Sequence, residues 1–190
     1  MPVKYLVVIL SVTACCGCGE SRKALQKRAS AGDVSATETL AKRGIASSQY
    51  QLGTMYARGN GVPEDQAAAI KWYRLAAEQG NPDGQRMLAE MYANGRGVKQ
   101  DDAEAVKWWQ MSAAQGDPDS IYKLGLLFNT GVGMPRDYIE AYAYFSVAST
   151  LGHPNAANAR DLRGNRFTPE QKSQAKKRSA ALLREFVGQR

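Results

Sequence analysis

A chain of 190 residues with 8% aromatic and 23% charged side chains has the apolar content of one folded domain, which excludes a disordered class. The net charge of +7 is uneven: residues 1–44 carry seven Lys/Arg against three Asp/Glu, residues 45–154 nine against twelve, and residues 155–190 nine against three. A mildly acidic middle between basic flanks, without a dense basic run, reads as solvated surface and not as a nucleic-acid arm.

Residues 1–14 have the form of a secretion signal. Lys4 supplies the basic start, Tyr5 to Val12 the apolar core, and Thr13 and Ala14 the small residues before the cut. The core is about half of the ~20 apolar residues that a spanning helix needs, so a retained transmembrane anchor is not expected. The stretch Val12-Thr13-Ala14-Cys15 resembles a bacterial lipobox, a branched apolar residue and two small ones before a cysteine. Cys16 would put Thr13 at the branched position, and Cys18 would put Cys15 there. The resemblance implies that Cys15 is acylated and begins the mature chain. Acyl chains, at about 0.8 kcal/mol per buried methylene, would then hold the protein on a membrane face. Cys15, Cys16 and Cys18 are the only cysteines and His153 the only histidine, so neither a zinc site nor a disulfide framework is expected.

Residues 15–28 are read as the lipidated cysteine and a polar tether, and residues 29–44 as an N-terminal capping helix, with Ala24 to Arg43 helical in composition except at Gly32-Asp33. Within the latter, Asp33 to Arg43 is the second helix of a degenerate leading repeat. Its Val34, Ala36 and Ala41 fall in register with Ile70, Trp72 and Ala77.

Three copies of one block follow at a fixed offset of 36 residues, over 45–80, 81–116 and 117–152. Gly44, Gly80, Gly116 and Gly152 keep the period, as do the pairs Gly59/Gly61, Gly95/Gly97 and Gly131/Gly133. Each copy predicts two helices. In the first copy Leu52 and Tyr56 share a face, with Gly53 leaving room for a close neighbour. Gly59-Asn60-Gly61 ends that helix, and Asp65 caps the next. Asp101 and Asp137 are the later caps, each with a glutamate three residues on, close to a capping box. The second helix buries a stripe of Ala69, Trp72, Tyr73, Ala76 and Ala77. Its counterparts are Ala105, Trp108, Trp109, Ser112 and Ala113, then Ala141, Tyr144, Phe145, Ala148 and Ser149. Pro82, Pro118 and Pro154 follow the closing glycines and suit helix starts. The fold class is therefore all-α, an α-solenoid of antiparallel helix pairs.

The pattern Tyr50, Leu52, Gly53, Met55, Tyr56, Gly59, Gly61, Val62, Asp65, Ala69, Trp72, Tyr73, Ala76, Ala77, Gly80 resembles the Sel1-like repeat, a relative of the tetratricopeptide repeat. The second copy departs at Arg86, Ala89 and its doubled Trp, and the third at Phe128, Met134 and Tyr144. The resemblance implies a solenoid that binds proteins or peptides and organises complexes, often in bacterial envelopes. Some members are cysteine-rich and linked to β-lactam binding. Their helix-bridging Cys pairs are missing from these repeats, so that role does not carry over.

Residues 153–190 are read as C-terminal capping helices. A first helix starts at Asn155 but puts Arg160 where Leu124 stood. Thr168, Pro169 and Gln171 form a helix start with a capping box. The helix they open offers Ala175, Ala180, Leu182, Leu183 and Phe186 for burial, and a basic face of Lys172, Lys176, Lys177 and Arg184.

Little in the chain points to catalysis. The Gly-x-Gly loops lack the third glycine and the preceding strand of a dinucleotide fingerprint. Ser120-x-x-Lys123 and Ser173-x-x-Lys176 match a motif of penicillin-recognising enzymes without its companion motifs. The expectation is a non-enzyme without cofactor or metal. It would be a scaffold lipid-anchored in the bacterial envelope, on the periplasmic side of the outer membrane, that binds a protein or peptide; neither nucleic acid nor a small-molecule substrate is expected. An envelope enzyme of the penicillin-recognising or peptidoglycan-acting type is the alternative. If the first helices line the concave face, the positions left free by the Leu-Gly-Tyr spine are the partner-binding candidates. They are Tyr50, Thr54, Arg58, Arg86, Glu90, Asn94, Tyr122, Leu126 and Thr130.

Overall fold

Glycine stops and polar caps divide the three repeats into helices of 13 residues each. The computed structural model describes residues 20–187. The signal, Cys15 and the start of the tether lie outside the described residues. The helices are α1 (Arg22–Ser30), α2 (Val34–Lys42), α3 (Ala46–Arg58), α4 (Gln66–Glu78), α5 (Pro82–Asn94), α6 (Asp102–Ala114), α7 (Pro118–Thr130), α8 (Tyr138–Thr150), α9 (Ala156–Gly164) and α10 (Pro169–Val187). There is no strand among the described residues, and no described helix is long and apolar enough to cross a membrane. The expected all-α solenoid is what the chain forms. α3 pairs with α4, α5 with α6 and α7 with α8, and each second helix packs on the first helix of the next pair.

The loop between paired helices is built on two glycines. In the second repeat Gly95 ends α5 in the left-handed region at φ 64°. Gly97, at φ 69°, lies against the Gln66 carbonyl at the start of the preceding second helix, where a Cβ would collide. That loop glycine therefore sets the spacing between successive repeats. The Asp101 carboxylate caps α6 by accepting from the Glu104 amide at 3.0 Å. The reciprocal half of the expected capping box is missing, because the Asp101 amide instead closes the loop onto the Tyr92 carbonyl at 3.1 Å. A full box forms only at α10, where Gln171 N–H donates to Thr168 Oγ1 at 3.3 Å and Thr168 N–H to Gln171 Oε1 at 3.0 Å.

The core runs through all three repeats. Leu52, Leu88 and Leu124 are buried on the first helices. Against them lie the rings of Tyr73, Trp109 and Phe145 on the second. Gly53 and Gly125 make room for those rings: a Cβ there would sit 2.8 Å from Tyr73 and 2.7 Å from Phe145. The expected stripe needs one correction. Trp108 is buried, but Trp72, Tyr144 and Ser149 are only half-buried, and Ile70 is inside instead. Each second helix is wedged between its own first helix and the next one, so its buried arc is wider than a single stripe and is centred elsewhere.

Two unforeseen features distinguish the repeats. Buried Gln49 and Gln85 each donate, at 3.2 Å, to a carbonyl at the end of the preceding second helix, Ala41 and Ala77. Each also accepts from the glutamine that follows its own second helix, Gln79 at 2.6 Å and Gln115 at 2.8 Å. In the third repeat the same two positions are Ile121, fully buried, and Leu151. The second feature is on the outer side of the second helices. Leu75 and Met111 are 42% exposed, whereas their counterpart Val147 is 1% exposed, because α10 lies across α8 and reaches α6.

The ends also correct the expectation. The tether is helical from Arg22 on. α1 buries Leu25 and Ala29 against Ala36 and Leu40 of α2, a small cluster separate from the main core. At the other end α10 joins the main core through Leu182, with Leu183 and Phe186 packed beside it. Ala180 is exposed, and so are Lys172, Lys176, Lys177 and Arg184.

Candidate partner-binding surface

The nine candidate residues sit on α3, α5 and α7 in three rows, one residue per repeat in each row. The row nearest the helix starts is more engaged with the protein than its spacing suggested. The Tyr50 ring lies 6.0 Å from that of Tyr73, and Tyr122 stacks on His153 at 4.0 Å. Both tyrosines pack against the core and do not point away from it. Arg86 is 18% exposed and sits 3.2 Å from Asp83, 3.7 Å from Asp117 and 3.9 Å from Asp119. Burial works against its charge, but Asp117, Asp83 and Asp119 outweigh it and the guanidinium pKa is raised. That cluster ties the second repeat to the third. His153 Nε2 extends it, 3.7 Å from Asp119.

The other two rows are more open. Thr54 is half-buried, accepting from the Tyr73 hydroxyl at 3.2 Å and donating to the Tyr50 carbonyl. Glu90 and Leu126 are half-buried; Arg58, Asn94 and Thr130 are exposed. Their chemistry changes from copy to copy on an unchanging frame: threonine, glutamate and leucine in one row, arginine, asparagine and threonine in the other.

Leu126 leads to residues that the sequence reading passed over. It lines a hollow of about 450 Å³ between α7, α8 and α9, with Asn129, Phe145, Ala159, Leu162 and Arg163. Leu162 is 63% exposed, the most of any large apolar side chain among the described residues. A second hollow of about 450 Å³ lies on the other side of Arg163, walled by Arg136, Tyr138 and Phe167. Arg166 borders both hollows. The loss of the Leu-Gly spine at Arg160-Asp161-Leu162 was the available signal that α9 leaves an unfilled space beside α7.

Nothing in these hollows assembles a nucleophile with a base. Ser120, from the Ser-x-x-Lys match, is fully buried between helices. Among the described residues no group of three His, Cys, Asp or Glu side chains could hold a metal ion.

Three consecutive segments, residues 46–81, 82–117 and 118–153, match the Sel1 repeat. Among solved structures, a Sel1 repeat protein from Oxalobacter formigenes is similar at 29% identity and a TM-score of 0.67, over 83% of this chain and 48% of that one. The protective antigen c5321 of uropathogenic Escherichia coli, described as displaying an SLR fold, is 25% identical with a TM-score of 0.62, over 83% and 42%. Helicobacter pylori cysteine rich protein B is 25% identical with a TM-score of 0.52, over 75% and 98%. The chain thus spans under half the length of the first two. No curated protein sequence matches it.

Proposed function

Because this chain belongs to the Sel1 repeat family, whose members are in general protein-interaction scaffolds and typically non-catalytic, we propose that it is an adaptor that binds a partner protein or peptide on the face of its first helices. One observation carries the choice of face. α10 lies across the outer side of α8, whereas α3, α5 and α7 present side chains that vary between copies and lead into an open hollow beside α9. A repeated frame with varied, half-buried side chains is how a solenoid builds a recognition surface. The lipobox-like Cys15 supports a second part of the proposal: acylation of that residue holds the adaptor on a membrane of the bacterial envelope, on the periplasmic side of the outer membrane.

Two measurements test these parts separately. A photocrosslinking amino acid placed at Glu90, Asn94 or Leu126 in the living cell is expected to trap one discrete partner, and the same probe at Met111 is not. Equal trapping from both faces overturns the choice of surface. Cys15→Ser is expected to abolish acyl labelling and release the protein from membranes; unchanged labelling removes the anchor.

A further inference from the structure

Four arginines are half-buried among the described residues, and three of them face a carboxylate. Arg86 has Asp83, Asp117 and Asp119; Arg160 has Asp161 at 2.8 Å; Arg178 has Glu140 at 2.6 Å and Glu185 at 3.2 Å. Arg163 is the fourth. Its guanidinium lies 4.0 Å over the Tyr138 ring and donates to the amide oxygen of Asn129. Both contacts fix its orientation, and neither neutralises its charge. A guanidinium has five N–H donors in a planar fork, so held in this way it keeps donors free for a planar anion. No carboxylate of the described residues forms an ion pair with it.

The space around that cation is shaped for more than a small anion. Leu126, Phe145, Ala159 and Leu162 give an apolar floor on one side, and Arg166 stands exposed at the rim. A free inorganic anion has no use for such a floor. A peptide that carries an apolar side chain beside a carboxylate would use both parts. The hollow lies where the mildly acidic repeats meet the basic C-terminal flank, so an acidic segment is drawn to this end of the first-helix face and away from the rest.

We propose that the hollow between α7, α8 and α9 docks an acidic segment of a partner protein, with a leucine-sized apolar side chain on the floor and an Asp or Glu carboxylate on Arg163. This deepens the adaptor reading and rests on it. Pre-orientation of Arg163 by Tyr138 and Asn129 lowers the ordering cost of the contact. Arg166 contributes at the rim, where a charge acts mainly on encounter and salt dependence.

The test is selection of random dodecapeptides on the intact chain, followed by fluorescence polarisation with the enriched peptides after labelling. Enriched sequences are expected to place Asp or Glu within three residues of Leu, Ile or Phe. Arg163→Gln is expected to weaken their binding by about tenfold or more. Arg166→Glu, at an exposed position, is expected to weaken it several-fold and reduce its salt dependence, and Arg96→Gln, on the exposed loop after α5, to leave it unchanged. Replacing the acidic residue of the peptide by its amide should cost as much as Arg163→Gln and nothing further in that variant. Enriched peptides without acidic residues, no enrichment at all, or equal binding by wild type and both variants would overturn the proposal, as would phosphatidylglycerol vesicles that bind through Arg163 while the peptides do not. Peptides that lose affinity with Glu90→Lys but not with Arg163→Gln or Arg166→Glu would sink this inference and leave the adaptor reading intact.

Discussion

The third repeat has the same backbone plan as the first two but is filled differently. Repeats one and two join their predecessors through buried glutamines, Gln49 and Gln85, each bonded to a helix-end carbonyl and to a second glutamine. The third uses Ile121 and Leu151 at those places. On the outer side, Lys71 and Lys107 are exposed and Leu75 and Met111 partly so, but α8 has Ala143 and Val147, both buried. Only the outer change has its cause in the packing of the third repeat, because Gln49 and Gln85 are themselves buried. The third repeat has α9 and α10 packed on α8 in addition to α7, so positions that elsewhere meet water are interior there. Repeat identity is therefore a matter of neighbours as much as of period. The faces left open are those for which no cap is provided.

Breaking the closed face should have the largest effect. Val147→Asp would place an unpaired charge under α10, and a loss of about 3–5 kcal/mol is expected. Met111→Asp, at the same register position on α6, should stay within about 0.5 kcal/mol of wild type. Urea denaturation of the two variants checks the pair, and equal losses would mean that α10 does not close the third repeat. A smaller effect is expected from opening one polar junction. Gln85→Ile removes a donor to the Ala77 carbonyl and an acceptor for Gln115, which keeps its bond to the Gly80 carbonyl at 3.0 Å. The expected cost is about 1–2 kcal/mol in the same denaturation experiment.

Much of the fold was legible because it is written locally. Helix lengths follow from glycine stops and aspartate caps a fixed distance apart, and the Thr168–Gln171 box marks the start of α10 without reference to anything distant. What depends on the meeting of remote surfaces was not legible. The repeat pattern does not mark α1, because the three-residue link Ala31-Gly32-Asp33 sets it out of the 36-residue register. The landing of α10 on α8 left a trace, the replacement of lysine by Ala143, but that trace has meaning only once a covering helix is known. The candidate surface was half legible. Variation between copies marks α3, α5 and α7, yet Tyr50, Arg86 and Tyr122 are partly structural, and Arg163 belongs to a helix whose repeat pattern has decayed.

The smallest expected effect sharpens the comparison most. Converting the second junction to the third, by Gln85→Ile together with Gln115→Leu, should leave stability within about 1 kcal/mol of wild type, although the first change alone is costly. The reason lies in the carbonyl that Gln85 serves. The Ala77 oxygen already accepts the Gly80 amide at 2.9 Å, just as the Ala113 oxygen of the next repeat accepts Gly116 at 2.8 Å where Ile121 replaces the glutamine donor. The side-chain bonds serve each other, a spare lone pair on the Ala77 oxygen and the carbonyl of Gly80, which is an exposed residue, so removing both partners leaves no stranded buried side-chain group. Apolar side chains of similar volume then supply the contact. A double variant whose loss equals the sum of two costly single changes would show instead that the glutamines align the repeats individually, and that the third junction tolerates Ile121 and Leu151 only because α9 and α10 clamp it from the far side.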